Sequence, residues 1–188
     1  LSVGTVIVYQ QLQFVKDRPI GYYRDGLVVI RKTSPEFQGK SDVLSTELKN
    51  SGAVSEIAES ASTVTSIWGF NAGFDWEGKD PNLQENFGTI SVSHDYGKTV
   101  GWQFVGGRDF QKNMRSDSLA FIVNETAVRY MGLKNPVGKT VKWDTEFFDG
   151  GEFTIIGVVK DMVMSSPFEP AKPMIFFLQG YKGWILVK

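Results

Sequence analysis

The chain contains no cysteine, which excludes disulfide bonds, thiolate catalysis and zinc–thiolate sites together. Histidine is almost as scarce, and any histidine-dependent mechanism would have to use His94. An excess of positive charge is also missing, since 20 Lys and Arg residues stand against 21 Asp and Glu residues. Nucleic acid is therefore excluded as the main partner, because binding to a phosphate backbone depends on clustered basic charge.

The chain also lacks a functional phosphate-binding loop, although the segment MGLKNPVGKT at 131–140 resembles one. The loop of ATPases has four residues between its glycines, whereas five separate Gly132 from Gly138. The flanking order is also reversed, because this segment leaves a predicted helix and enters a predicted strand. We predict that Gly132 ends the helix, that Pro136 makes a turn, and that no nucleotide or other cofactor binds here.

The first 15 residues of the chain carry no charged side chain, and Lys16 is the first charged residue. This run is shorter than the ~20 apolar residues that span a bilayer, and it lacks the basic start and the cleavage site of a signal peptide. One interpretation is a core strand built on Val6, Ile7 and Val8. The other is the outer end of a transmembrane helix, occupying residues 1–20, whose apolar stripe consists of Leu1, Thr5, Val8, Leu12 and Val15.

The order of apolar runs and turn signals predicts an α+β fold with about nine strands and three or four helices. A strand at 27–30, a helix of about three turns within 40–52 and a strand from Val54 onward form an opening strand–helix–strand module. The clearest later unit is a buried strand that ends at Asn124, a residue typical of helix N-caps. The helix after Asn124 is predicted to end at Gly132.

Catalytic and metal-binding patterns are weak throughout the sequence. The zinc motif H-E-x-x-H, the calcium loop, the nucleophile elbow and the dinucleotide fingerprint are all missing. Glycosidase chemistry would need two carboxylates at a measured separation across a cleft, which sequence spacing cannot supply. The pairs considered for it are Glu56 with Glu59 and Asp144 with Glu146. We therefore predict no catalytic, cofactor-binding or metal-binding residues.

Four aromatic residues in a glycine-rich segment are the candidate partner-binding residues: Trp68, Phe70, Phe74 and Trp76. Large apolar side chains commonly anchor protein interfaces when they are exposed. The alternative is that all four build the small core of a second lobe.

Three strings in a specific order carry a family resemblance: GRDF at 107–110, DSLAFIVNETAVRYMGLKNPVGKTV at 117–141 and FTIIGVVKDM at 153–162. A P-x-x-P sequence and an apolar strand follow them. In this order they resemble the MacB-like periplasmic core domain of ABC transporter permeases of the MacB/FtsX superfamily. The leader at 6–30 resembles the junction where the first transmembrane helix of such a permease enters the periplasm.

The resemblance implies a two-lobed domain between two transmembrane helices. The expected first lobe is porter-like, with the strand–helix–strand order of a split ferredoxin-like fold, and consists of residues 21–66 and 181–188. The expected second lobe is mostly β and is inserted at 67–180. Family members usually continue after a strand such as GWILVK into a further helix and strand, so the porter-like lobe is expected to be incomplete at Lys188, with a sheet edge left open.

The resemblance also implies partners and a location. ATP is expected to be hydrolysed by a separate cytoplasmic domain or subunit, reached through the transmembrane helices of a permease dimer in the bacterial inner membrane. The periplasmic part would transmit motion to substrates or to an adaptor or lipoprotein, as in efflux.

Two other function classes stay open from the residues alone. A soluble periplasmic module that binds a peptide or a lipid would show a deep apolar cavity. A hydrolase that uses His94 or a carboxylate pair would bring those groups together in a cleft with perturbed acidity.

Overall fold

A computed structural model describes residues 21–23, 25–33, 40–145, 150–164, 166 and 168–188 of the chain. Both interpretations of the leader at 1–20 fall outside these residues. The described strands are β1 (Val28–Arg31), β2 (Ile57–Ser60), β3 (Phe70–Asn71), β4 (Phe74–Trp76), β5 (Phe87–Ser91), β6 (Phe104–Gly107), β7 (Ala120–Asn124), β8 (Thr140–Trp143), β9 (Gly151–Val159), β10 (Met174–Phe177) and β11 (Trp184–Val187). The described helices are α1 (Ser41–Asn50), α2 (Tyr96–Val100) and α3 (Glu125–Met131), with a 3₁₀ turn at Arg115–Leu119.

The predicted α+β class is confirmed, since a few short helices lie against two sheets. The described part of the chain has two strands more than the sequence predicts. The additional strands are β3 and β4, which are two and three residues long and lie in the glycine-rich aromatic segment. Strands this short carry too little alternation to be recognised from periodicity.

The smaller sheet has three strands in the order β1-β11-β2 and is antiparallel throughout. Strand β11 comes from the end of the chain and lies between two strands from its beginning, with Val187 opposite both Val28 and Ile57. Helix α1 covers one face of this sheet with Leu44 and Leu48. The predicted opening module is therefore confirmed, although both strands begin later than the sequence indicates.

The larger sheet has eight strands in the order β3-β5-β10-β7-β9-β8-β4, with β6 paired to the far end of β9. It is a mixed sheet, because β10 runs parallel to β5 and β7 runs parallel to β9, whereas the other pairs are antiparallel. Strands β5, β7 and β10 are buried along their whole length. Burial on both faces explains the nearly continuous apolar sequences of β7 and β10, whereas β5 also buries Thr89 and Ser91.

The unit around α3 follows the sequence prediction closely. The Asn124 side chain caps the helix by accepting a hydrogen bond from the amide of Ala127 at 2.9 Å. Gly132 ends the helix with φ +69°, a conformation that favours glycine. The amide of Leu133 then donates to the carbonyl of Val128 at 3.2 Å, and the Leu133 side chain packs against the core.

The two sheets are joined by main-chain hydrogen bonds and by a common core. The Ala61 amide donates to the Ser91 carbonyl at 2.8 Å, and the Ser93 amide donates to the Glu59 carbonyl at 2.9 Å. One apolar cluster contains side chains of both sheets, among them Ala58, Leu186 and Ile90. A displacement of either sheet is therefore resisted by the other. The lobe boundaries at 66/67 and 180/181 stay a prediction.

Candidate partner-binding surface

The four aromatic candidates divide into an exposed pair and a buried pair. Trp68 and Phe70 are 60% and 46% exposed, whereas Phe74 and Trp76 are 0% and 6% exposed. The prediction that all four could be displayed is thus corrected for Phe74 and Trp76, which belong to the core. Their side chains alternate with the exposed Asp75 along β4. The apolar–polar–apolar order FDW is the sequence signal that indicates two inward-facing rings.

Specific partners hold the two buried rings in place. The ring of Phe74 stacks on Trp143 with centroids 4.7 Å apart. The indole nitrogen of Trp76 donates to the carbonyl of Met131 at 3.0 Å, which ties β4 to the end of α3. For Phe74 and Trp76, the structure therefore agrees with the alternative prediction that the aromatic residues build a core.

Trp68 and Phe70 line an open groove of about 580 Å³. The groove lies where the segments that connect the two sheets pass the larger sheet. Tyr181, which is 70% exposed, lines the groove as well. Sequence reasoning missed Tyr181 because QGYKG indicates only a turn. We call this the junction groove. Its lining consists of Ala61, Ser62, Trp68, Gly69, Phe70, Asn71, Thr89, Ser91, Trp143, Phe177, Gly180 and Tyr181.

The Trp68 ring is oriented by a second tryptophan. Trp184, the first residue of β11, meets Trp68 edge to face, with centroids 5.4 Å apart and an interplanar angle of 80°. The guanidinium of Arg31 lies 5.9 Å from the centroid of the Trp184 ring, within the range of cation–π attraction. One wall of the junction groove is therefore held by the central strand of the smaller sheet.

The junction groove is lined by residues without charge. Its polar groups make neutral hydrogen bonds, such as the one from the Asn71 side-chain amide to the Thr89 hydroxyl at 2.5 Å. The Ser91 hydroxyl likewise donates to the carbonyl of Gln179. Apolar rings beside neutral polar groups suit a ligand surface without charge, because a charge placed there would lose hydration without compensation.

Three of the four residues of the GRDF string have a clear structural role. Gly107 has φ +73° and lies against Gly157, where a Cβ atom would collide with the Ile156 carbonyl oxygen. Arg108 donates to both carboxylate oxygens of Asp117 at 2.7 Å, and this ion pair holds the pKa of Asp117 below its usual range. Phe110 belongs to the core. The motif thus fixes the corner between β6 and the 3₁₀ turn.

Asp109, the remaining residue of GRDF, supplies a pH-dependent prediction. Burial raises the pKa of its carboxyl from 3.8 to about 6. The folded state therefore holds a proton that the unfolded state releases, so this group's contribution to stability falls as the pH rises from about 4 to about 6. Asp109→Asn should raise the free energy of unfolding at pH 7.5 by about 1–2 kcal/mol and leave it nearly unchanged at pH 4.

Urea unfolding at the two pH values measures this difference, with Asp144→Asn as the control for an exposed carboxylate. The Asp109→Asn variant retains an acceptor for the Phe110 amide, which lies 2.8 Å from the Asp109 side chain in the parent protein. An equal effect of Asp109→Asn at both pH values would contradict the assigned burial cost.

Among the described residues, the catalytic candidates do not form a substrate-sized site. His94 and Glu59 line the same groove, whose volume of about 100 Å³ is well below the roughly 300–1,000 Å³ of ligand pockets. Partial burial and the charge of Lys112 lower the pKa of His94. Glu59 accepts from Lys32 at 2.7 Å and Glu56 accepts from Lys49 at 3.0 Å, whereas Glu146 lies outside the described residues.

The segment that resembles a phosphate-binding loop is a helix end, a turn and a strand entrance. Gly132 ends α3, and the Lys139 amide donates to the Pro136 carbonyl at 3.1 Å. The Lys139 ammonium pairs with Glu77 at 2.8 Å. Within the described residues, no group of three or more His, Asp and Glu side chains is arranged to hold a metal ion. None of the helices described is long and apolar enough to cross a membrane.

Comparisons with known proteins identify the fold. The sequence matches the profile of the family described as "MacB-like periplasmic core domain" over residues 2–181. The structure is similar to the periplasmic region of MacB from Actinobacillus actinomycetemcomitans, with a TM-score of 0.54, 16% identity, and coverage of 93% of this chain and 78% of that chain.

A second similar structure is the extracellular domain of the noncanonic ABC-type transporter YknZ from Gram-positive bacteria. Its TM-score is 0.55 and its identity is 14%, with 87% of this chain and 83% of that chain covered. No curated protein sequence matches the chain. At these identities the structural likeness shows the fold alone.

Proposed function

This chain belongs to the MacB-like periplasmic core domain family, and from that premise we propose that it transmits motion from a separate ATPase to substrates or partner proteins outside the membrane. The proposal places it on the periplasmic side of the bacterial inner membrane, as the extracytoplasmic part of an ABC transporter permease dimer. Catalysis of ATP hydrolysis is assigned to a cytoplasmic domain or subunit that is reached through transmembrane helices.

The observation that carries the proposal is the antiparallel pairing of β1 with β11. Val28, at the start of β1, lies opposite Val187, at the end of β11. The start of β1 and the end of β11 therefore lie side by side at the same end of one sheet. A domain attached at both of these points follows any displacement of its attachment, because two neighbouring strands carry the displacement together.

The displacement can reach the junction groove along a stiff path. Strand β11 leads from the attachment end to Trp184, which orients Trp68. The main-chain hydrogen bonds at Ala61 and Ser93 join the smaller sheet to the larger one. Because close-packed interiors deform little, the domain should move as a unit.

The partner contact is proposed at Trp68 and Phe70, together with Tyr181. Exposed aromatic rings on a held backbone are typical anchors of interfaces, because they bury a large apolar area at a small cost in conformational entropy. An adaptor or a lipoprotein in the periplasm would be such a partner. The junction groove is open and has a volume of about 580 Å³, so it suits contact with a protein surface. The alternative function, a module that encloses a lipid, would require a deep cavity instead.

Site-specific photocross-linking tests this function in the full-length permease, in its own membrane and with its ATPase. A benzophenone amino acid at position 68 is expected to give one discrete cross-linked product. Its yield should change at least about threefold when the ATPase is inactivated, because the groove moves relative to its partner during the cycle.

The matched control carries the same photoreactive residue at position 168, where Phe168 is 66% exposed and lies outside the junction groove. This position should give no discrete product. The proposal fails if positions 68 and 168 give the same products, or if the yield at position 68 is independent of ATP hydrolysis.

A further inference from the structure

The junction groove contains an unpaired strand edge. Strand β3 is the terminal strand of the larger sheet, and in the described part of the chain it pairs with β5 alone. A terminal strand presents main-chain donors and acceptors on its outer side, which another extended chain can use.

The hydrogen bonds around β3 identify the residue whose main chain faces outward. The Thr89 amide donates to the Gly69 carbonyl at 2.9 Å, so Gly69 and Thr89 form a hydrogen-bonded pair. Hydrogen-bonded and non-hydrogen-bonded pairs alternate along an antiparallel ladder, so Phe70 is not bonded to its opposite residue Gly88. The Gly88 amide indeed points the other way and donates to the Pro173 carbonyl at 2.9 Å.

Phe70 therefore offers an outward amide, an outward carbonyl and a ring that is 46% exposed. Trp68, two residues earlier in the same segment, lines the same groove as Phe70. An extended peptide that pairs with the Phe70 main chain would place alternate side chains toward these rings.

We infer that the β3 edge binds a short extended polypeptide segment with uncharged side chains, which pairs its main chain with Phe70 and rests its side chains on the rings of Trp68 and Phe70. We infer an uncharged ligand because the groove lining carries no charge. We infer a polypeptide because the outward amide and carbonyl of Phe70 can pair with another main chain. This inference rests on the proposed function, in which the groove contacts a partner, and it adds the chemistry of that partner.

The probes are pooled blocked hexapeptides made of Ala, Val, Pro, Ser and Thr, titrated into the 188-residue chain up to about 1 mM. The reporter is the Trp68 indole resonance in nuclear magnetic resonance spectra, assigned by its loss in Trp68→Phe. A saturable shift is expected, and Trp68→Ala should weaken binding of the tightest peptide roughly tenfold or more, measured by calorimetry. The control Phe168→Ala should change it less than about twofold.

Two modified versions of the tightest peptide separate main-chain pairing from ring contact. N-methylation of the amide that faces Phe70 should weaken binding about tenfold or more, since it removes a donor and retains the side chains. Replacing the groove-facing residues by Lys should weaken it similarly.

Several results would overturn the inference: no shift with any pool, equal binding of the N-methylated peptide, a shift with chitotetraose but not with peptides, or a concentration-dependent dimer that buries Trp68. These failures are distinct from failure of the proposed function. If the cross-link at position 68 follows ATP hydrolysis while every peptide fails, the motion-transmitting function stands and only the ligand chemistry is wrong.

Discussion

Gly107→Val should lower the free energy of unfolding by about 4 kcal/mol, the largest loss we expect from one substitution. Gly107 has φ +73°, which costs a non-glycine residue about 1–2 kcal/mol and a β-branched one more. A Cβ atom would also collide with the Ile156 carbonyl oxygen and lie 2.8 Å from the Cα of Gly157. Since both obstacles are main chain, β6 and β9 would have to separate, which adds roughly 1–3 kcal/mol.

Urea unfolding measures this loss, and Gly132→Val is the matched control. Gly132 has nearly the same φ, +69°, but apart from its chain neighbours and the backbone of its own helix, no atom of the described residues lies within 4 Å of the position its Cβ would take. The control should therefore lose only the conformational part, about 2 kcal/mol, since valine is β-branched. Equal losses in the two variants would show that the close approach of Gly107 to Gly157 contributes nothing.

Asn124→Ala should cost about 3 kcal/mol, the second-largest effect. The side-chain oxygen of Asn124 accepts from the amides of Ala127 and Met174, both at 2.9 Å, and its nitrogen donates to the carbonyl of Lys172 at 2.9 Å. Loss of the cap costs about 1 kcal/mol. The buried groups left without partners add roughly 1–3 kcal/mol, since Asn124 is only 2% exposed.

Asn124→Asp is the informative companion variant, measured by urea unfolding at pH 7.5. Aspartate retains the acceptor for the amides of Ala127 and Met174 but loses the donor to the Lys172 carbonyl. Its stability should lie between those of the parent and Asn124→Ala. If the Ala and Asp variants are equally stable, the two accepted hydrogen bonds do not hold β7, α3 and β10 together.

Local chemistry allowed the unit around α3 to be predicted from the sequence. Asn124 and Gly132 act within a few residues of themselves, so the signals for the start and the end of the helix are contained in the segment. The order of the opening module, a strand, then α1, then a strand, was predicted for the same reason. Its strand bounds shifted by one to three residues because strand ends depend on pairing with β11.

Non-local pairing accounts for what sequence reasoning missed. The place of β11 between β1 and β2 joins residues 124 to 159 positions apart, which no periodicity encodes. The ion pair of Arg108 with Asp117 likewise depends on the corner that Gly107 makes. Burial of Phe74 and Trp76, and exposure of Tyr181, follow from which face each short segment presents to the larger sheet.

One measurement tests the central claim that this domain moves with a separate ATPase domain or subunit. Because the chain has no cysteine, Val137→Cys places a single spin label in it, at a side chain that is 45% exposed. The label is measured in the full-length protein, as the proposed permease dimer, by pulsed electron paramagnetic resonance, with and without trapped ATP. We predict that the distance between the labels of the two copies changes by several Å on trapping, and that this change is absent when the ATPase is inactivated. An inter-copy distance that is the same in every nucleotide state would contradict the account.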